Sequence, residues 1–478
     1  MNRRNFFTGA AAAAGGALAA RMVPTAQAAE PAKKPVSSGQ TSPFIPPADW
    51  KGYQPVITPN GLTLPWKLVN GVKVFHLIAE PVTHEFAPGL VAECWGYSGR
   101  VHGPTIEAVE GDHVRIYVTN RLSAPTSVHW HGVLLPSGMD GVGGVSQKAI
   151  QPGETFKYEF TLKQHGTLMY HSHHDEMTQM QLGMMGLFII HPKNPPKPPD
   201  RDYALLLSEW KIEVGARRPD PSEMTDFNVF TMNGRSFPGT QPLFAKAGDR
   251  VRIRIGNLST MSHHAIHLHG HNFKIVATDG GEIPEAGQWP ETTTLMPTGS
   301  TRTVEFTAIE GDWVLHCHML HHVMTQMGHN FGNMIGINTE GLNQKLRKLI
   351  PGYMVMGRDG MGDMGEMGMT VPPNSLPMVG APGQHDYITM GGMFTIVKVR
   401  KELPADGSDP GWYKSPPGTL AELAPEADLK RDGIELPKDL KKAAALRTPV
   451  KGEVWCGAPP ARPPLLANNQ VTARIKVQ

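Results

Sequence analysis

The stretch "GPTIEAVEGDHVRIYVTNRL" at residues 103–122 returns as "PLFAKAGDRVRIRIGNLS" at residues 242–259. Inside each, "VRIYV" and "VRIRI" alternate apolar and polar positions with β-branched residues, the pattern of a half-buried strand. The copies lead to matching histidine segments, "HWHG" at His129–Gly132 and "HHAIHLHG" at His263–Gly270. A second alternating strand follows in each, "PGETFKYEFTL" and "TGSTRTVEFTA", and then a second cluster, "YHSHH" at Tyr170–His174 and "LHCHMLHH" at Leu315–His322. An internal repeat of this kind means one structural unit used twice. The expectation is an all-β chain of two β-sandwich domains, residues 45–192 and 200–340, joined by the stiff linker "HPKNPPKPPD" and followed by a C-terminal extension, 341–478.

Composition agrees with a loop-rich β protein. The chain has 478 residues, 40% hydrophobic, with 52 Gly and 43 Pro, too long for one ordinary domain. A net charge of +2 points to neither nucleic acid nor a membrane surface, and no apolar run of spanning length follows the N-terminal segment. Three cysteines do not make a disulfide scaffold, whereas 22 His and 25 Met are unusual. Residues 1–28 read as an export signal: Arg3 and Arg4, Phe6 and Phe7, an Ala/Gly run, then Ala26-Gln27-Ala28. The paired arginines resemble a twin-arginine signal, with an ordinary secretory signal as the alternative; either puts the mature chain, from about Ala29, in the periplasm.

The segment "WVLHCHMLHHVMTQM", Trp313–Met327, concentrates imidazole, thiol and thioether, a soft ligand set for which copper is the first candidate. On an extended chain successive side chains alternate faces. His316 and His318 therefore point one way and Cys317 the other. His267 and His269 share a face, and His264, three residues earlier, faces away from them. Two sites back to back result, one of paired histidines and one of Cys317 and His264. His322 and Met327 are placed to close the second, and two His, one Cys and a weak Met form an electron-transfer copper set.

The motifs "HWHG", "HSH", "HxxHLHG" and "HCHxxxHxxxxM" resemble the four copper motifs of the multicopper oxidases, present in family order across residues 129–327. That resemblance implies cupredoxin-like Greek-key sandwiches and four coppers per active unit. It assigns His264, Cys317, His322 and Met327 to a type 1 copper, His129 and His267 to a type 2, and His131, His171, His173, His269, His316 and His318 to a type 3 pair. It also implies that a reductant is oxidised one electron at a time at the type 1 copper while dioxygen is reduced to water at the other three. Asp140, in "PSGMDG", matches an acid that family members carry near the type 2 copper and is the catalytic proton-relay candidate; a turn aspartate before Gly141 is the plain reading. Some bacterial cuprous oxidases have a carboxylate just after the second type 1 histidine, where this chain has Val323.

Only 91 residues separate His173 from His264, which leaves no room for a laccase's middle domain. The chain thus resembles the two-domain members, whose trinuclear cluster lies between neighbouring subunits of a homotrimer, as a head-to-tail interface closing into a ring allows. An intramolecular interface braced by the extension is the alternative. Met354, Met356, Met361, Met364, Met367 and Met369 lie among glycines and acids, either a Cu(I)-collecting loop or plain low-complexity sequence, while Met177, Met180, Met184 and Met185 read as packing. Cys94 and Cys456 are not ligands by motif, and export makes a disulfide between them conceivable. Residues 391–403 offer one further strand. An oxidase acting on phenols or on metal ions such as Cu(I) is expected. A copper nitrite reductase would leave the His pairs 171/173 and 267/269 unexplained, and a copper-storage protein would not require strand parity to separate an electron-entry site from a cluster.

Overall fold

Alternation in the sequence becomes alternation in burial. In the computed structural model, strand His113–Asn120 buries Val114, Ile116 and Val118, and strand Arg250–Asn257 buries Val251, Ile253 and Ile255. The structure describes residues 54–194, 198–213, 215–323 and 380–437, with single positions at 345, 348, 349 and 374. Residues 1–28, Met327, the methionine-rich stretch and Cys456 lie outside the described residues.

Two sandwiches emerge. In the first, one sheet runs Trp66–Val69, Val72–Ala87, His113–Asn120, Thr155–Thr161, with Leu90–Tyr97 also on Val72–Ala87. The other runs Ile106–Val109, Met185–His191, Gly166–Ser172, Val128–His129. Phe75, Leu77, Ile116, Trp130, Leu168 and Phe188 fill the space between them, each worth roughly 1.5–3 kcal/mol of burial. The second repeats the plan. One sheet runs Val229–Met232, Arg201–Trp210, Arg250–Asn257, Ser300–Thr307, Phe273–Thr278, Gly281–Glu282, with Trp289–Glu291 also on Phe273–Thr278. The other runs Leu243–Lys246, Phe394–Arg400, Gly311–Cys317, His264–Leu268, Thr293–Met296. Helix is limited, among the described residues, to short pieces such as Glu176–Gln181 and Glu426–Arg431.

The second sandwich corrects the boundary drawn at residue 340. In the first repeat, Met185–His191 lies parallel to Ile106–Val109 and antiparallel to Gly166–Ser172. Its counterpart in the second repeat is Phe394–Arg400, parallel to Leu243–Lys246 and antiparallel to Gly311–Cys317. The closing strand thus comes from the stretch taken as an extension. From Cys317 to Phe394 the chain is far longer than the matching interval from Ser172 to Met185, which hid the last strand from a reading based on the spacing of the first repeat.

Contacts between the sandwiches are apolar and polar. Phe86, Leu90 and Cys94 pack on Trp210, Ile212 and Val229, and Met169, Met185 and Leu187 on Ala204, Leu206 and Leu258. Arg254 donates to both oxygens of Asp202 at 2.8 and 2.9 Å and to Thr167 Oγ1 of the first sandwich at 3.0 Å. His84 Nε2 donates to Gly234 O at 2.6 Å, and His102 Nε2 lies 2.8 Å from Ser208 Oγ. Burial pushes both imidazoles down to about 3, which keeps them neutral. A histidine held below its unfolded value near 6.5 favours the native state fully above that pH, and the contribution is lost as pH falls toward 3. The urea midpoint is therefore expected to drop between about pH 7 and pH 5, and His84→Gln to reduce that drop; an equal drop in the variant would refute this account.

Candidate metal centre

Pairing decides the site. Strand His264–Leu268 lies antiparallel to Gly311–Cys317 with His267 opposite His316 and Ile266 opposite Cys317. Residues directly opposite share a face. His267 and His316 thus look out one side, while Cys317 and His264 turn into the core, both fully buried. A one-turn 3-10 segment, Leu320–Val323, carries His322 back over them. The Cys317 Sγ lies 3.7 Å from His264 Nδ1 and 3.5 Å from His322 Nδ1, and the two Nδ1 atoms are 3.0 Å apart. His264 Nε2 meets Ser259 Oγ at 2.6 Å, which leaves Nδ1 for the trio. Phe230 stacks on His322 at 4.3 Å.

Electrostatics describe a site made for a cation. Burial drives His264 well below the usual imidazole range and His322 down to about 4, so both are neutral donors. Burial likewise pushes the Cys317 thiol up to about 11. A thiolate at this position requires a positive partner, and two imidazole nitrogens already converge on it. The sulfur and nitrogen donors fit copper.

On the opposite face the histidines form two matching quartets. His129, His131, His171 and His173 have ring centroids 5.3–6.0 Å apart. His267, His269, His316 and His318 have theirs 4.8–5.7 Å apart. Tautomers match as well. His171 Nδ1 donates to Ser172 O at 2.9 Å and His316 Nδ1 to Cys317 O at 2.8 Å. His129 Nδ1 donates to Asp140 O at 2.9 Å and His267 Nδ1 to Thr292 O at 2.7 Å. In each case Nε2 is left bare, as a ligand nitrogen must be. His131 Nδ1 approaches His171 Nε2 at 3.3 Å, and His269 Nε2 approaches His316 Nε2 at 3.2 Å. Among the described residues, the ring contacts stay within each quartet.

Asp140 stands beside the first quartet, its Oδ1 3.3 Å from His129 Nδ1. Reading the sequence missed Glu176, whose carboxylate oxygens lie 3.4 Å from His171 Nδ1 and 3.8 Å from His173 Nε2. Its position three residues after His173, opening a short helix, was the available signal. Other histidines have duller roles. His271 bridges His269 O and Ile309 N, and His263 accepts from Thr298 N. Met180, Met184 and Met185 are buried, whereas Met177 is exposed. Cys94 is a buried free thiol.

The first repeat shows what the second gained. Val128 lies opposite Ser172, as Ile266 lies opposite Cys317, so Ser172 and Thr126 hold the places of Cys317 and His264. Both hydroxyls donate to Gln179 Oε1, at 2.5 and 2.7 Å. Hydrogen bonds fill the space that converging donors leave in the second sandwich.

Two family models match the chain, both described as "Multicopper oxidase", over residues 79–195 and 213–335. The chain belongs to the multicopper oxidase family. Among curated relatives of this multicopper oxidase, Copper resistance protein A of Escherichia coli is 31% identical over 232 residues, 38% of each chain. Multicopper oxidase MmcO of Mycobacterium tuberculosis is 31% identical over 40% of this chain and 44% of its own. The match thus spans about two fifths of those relatives' length. The Blue Copper Oxidase from Nitrosomonas europaea superposes with a TM-score of 0.51 and 27% identity, covering 68% of this chain and 85% of its own. The multicopper oxidase mgLAC gives 0.52 and 28%, over 70% and 88%. Copper is the cofactor this family carries.

Because Phe230 both fills the core and holds His322, Phe230→Ala is expected to cost about 3–5 kcal/mol in denaturation of the metal-free protein. A loss under about 1 kcal/mol would show that the ring is not packed as described.

Proposed function

We propose that this multicopper oxidase is a periplasmic oxidase that takes single electrons from a small reductant and passes them to dioxygen. The observation carrying this reading is the back-to-back arrangement, with Cys317 in one donor set and its chain neighbours His316 and His318 in the other. His264, Cys317, His322 and Met327 would hold the type 1 copper, His129 and His267 the type 2, and His131, His171, His173, His269, His316 and His318 the type 3 pair. Bound there, the metals would supply one-electron acceptance at the first centre and four-electron reduction of dioxygen to water at the other three. The chain orients the imidazoles through carbonyl hydrogen bonds at His129, His171, His267 and His316. Asp140, at His129, is the residue we assign to proton delivery.

Each quartet is half a cluster, which supports assembly between copies. The first quartet of one chain meets the second of the next, head to tail, and three copies close a ring. Exposed apolar residues flank both halves: Leu134 and Val145 after His131, Leu295 opposite Ala265. For the reductant, phenols and metal ions are the two classes. The similarity to Copper resistance protein A and the methionine-rich segment favour Cu(I), and the paired arginines at Arg3 and Arg4 favour twin-arginine export.

Copper-loaded protein is expected to be intensely blue and to consume dioxygen with Cu(I) or a dimethoxyphenol; Cys317→Ser should abolish the colour and lower turnover at least a hundredfold. Blue protein without dioxygen uptake would mark a copper binder instead. The assembly has its own check. Chains carrying His129→Ala with His131→Ala, and chains carrying His316→Ala with His318→Ala, should each be inactive yet recover activity when co-assembled, because mixed trimers contain intact interfaces. No recovery, or a monomeric active species in light scattering, would refute the trimer.

A further inference from the structure

Beside the proposed type 1 site lies a carboxylate that neither the motifs nor the mechanism uses. Glu209, on strand Arg201–Trp210, is only 2% exposed. It sits directly opposite Phe230, the residue stacked on His322, and so shares its face. Its Oε1 accepts the backbone N–H of Met261 at 2.8 Å and of Ser262 at 2.9 Å. Its Oε2 is buried without a close hydrogen-bond partner, the Ser262 and Thr260 hydroxyls standing beside the carboxylate. An unsatisfied buried carboxylate oxygen costs free energy, so its presence calls for a reason.

The two amides belong to the turn that delivers His264. Asn257 holds the turn from below, its Oδ1 accepting Ser259 N and its Nδ2 donating to Ser262 O and Met296 O. Ser259 in turn meets His264 Nε2. Glu209 is the second anchor, reached from a strand of the other sheet. Glu209 also reaches the second histidine, because the Phe230 ring opposite it lies against His322 at 4.3 Å. Burial lifts the Glu209 carboxyl itself above its usual range, and hydrogen bonds from Ser262 and Met261 partly offset this.

We infer that Glu209 is a positioning residue of the type 1 site, fixing the turn that aims His264 and placing a negative charge beside the Phe230–His322 stack that favours oxidised copper. The inference rests on the copper reading above. A nearby negative charge stabilises the more positive oxidation state, and in a low-dielectric interior the effect is not screened away. Glu209 thereby makes the centre a weaker oxidant and a readier donor to the cluster. The sequence carries no sign of this, since Glu209 lies 55 positions before His264.

Two variants of the copper-loaded full chain separate the roles. Glu209→Gln keeps an acceptor for the two amides but removes the charge; Glu209→Ala removes both. In reductive titrations followed through the blue absorption, Glu209→Gln is expected to keep the wild-type spectrum. It should shift the equilibrium roughly tenfold toward the reduced centre, about 59 mV for a one-electron couple. Glu209→Ala is expected to shift it too and also to change the blue band and its paramagnetic resonance spectrum, as His264 loses its anchor. A Gln variant that titrates like wild type, or an Ala variant with an unchanged spectrum, overturns the inference. Should the Ala variant not fold, the Gln titration alone decides. A wild type without a blue centre would instead overturn the copper reading itself.

Discussion

Strand alternation between Leu315 and His318 is the constraint on which the molecule depends. A strand gives one face to odd positions and the other to even ones. His316 and Cys317 are adjacent in the chain and therefore serve different sites, with no further device needed to separate them. The neighbouring strand enforces the arrangement by placing His267 opposite His316 and Ile266 opposite Cys317. A slip of one residue would exchange every donor between the core and the outer face. The buried row of Ile266, Leu268, Leu315 and Cys317 resists that slip, because it would drive imidazoles into the apolar centre of the sandwich.

The two repeats show one scaffold carrying different contents. Gln179 satisfies Thr126 and Ser172 in the first, whereas His264, Cys317 and His322 aim bare donors at one another in the second. Two imidazole nitrogens and a buried thiol thus meet where the first repeat has a closed set of hydroxyl hydrogen bonds. The outer quartets carry the same logic across the surface. In each, carbonyl hydrogen bonds to Nδ1 turn the Nε2 atoms of two histidines toward the other rings of the quartet.

The insertion before the closing strand changes how the tail is understood. Met393 O accepts from Cys317 N, Met393 N donates to His322 O, and Gly391 N donates to Val323 O. The chain that returns from the insertion thus straps the loop between the two donors, with Met393 itself fully buried. A tail that looked peripheral is part of the sheet that holds His264 and Cys317. The loop that carries His322 is thereby tied to the closing strand through three backbone hydrogen bonds.

Much of the fold was legible because it is local. Period-two patterns announced the strands, and the repeated clusters announced two similar units. Parity along "HLH" and "LHCH" sorted donors into two faces before any contact was known. What the sequence alone determined, then, is which residues carry chemistry and which side of a strand each one takes, since both follow from covalent geometry. What only the tertiary structure decided is who stands next to them: the closing strand at Phe394–Arg400 beyond a long insertion, the Gln179 that fills the first repeat's empty counterpart, Glu176 at the outer histidines and Glu209 behind His264. Those neighbours are chosen by packing between distant segments, and no local pattern encodes a partner whose separation along the chain is arbitrary.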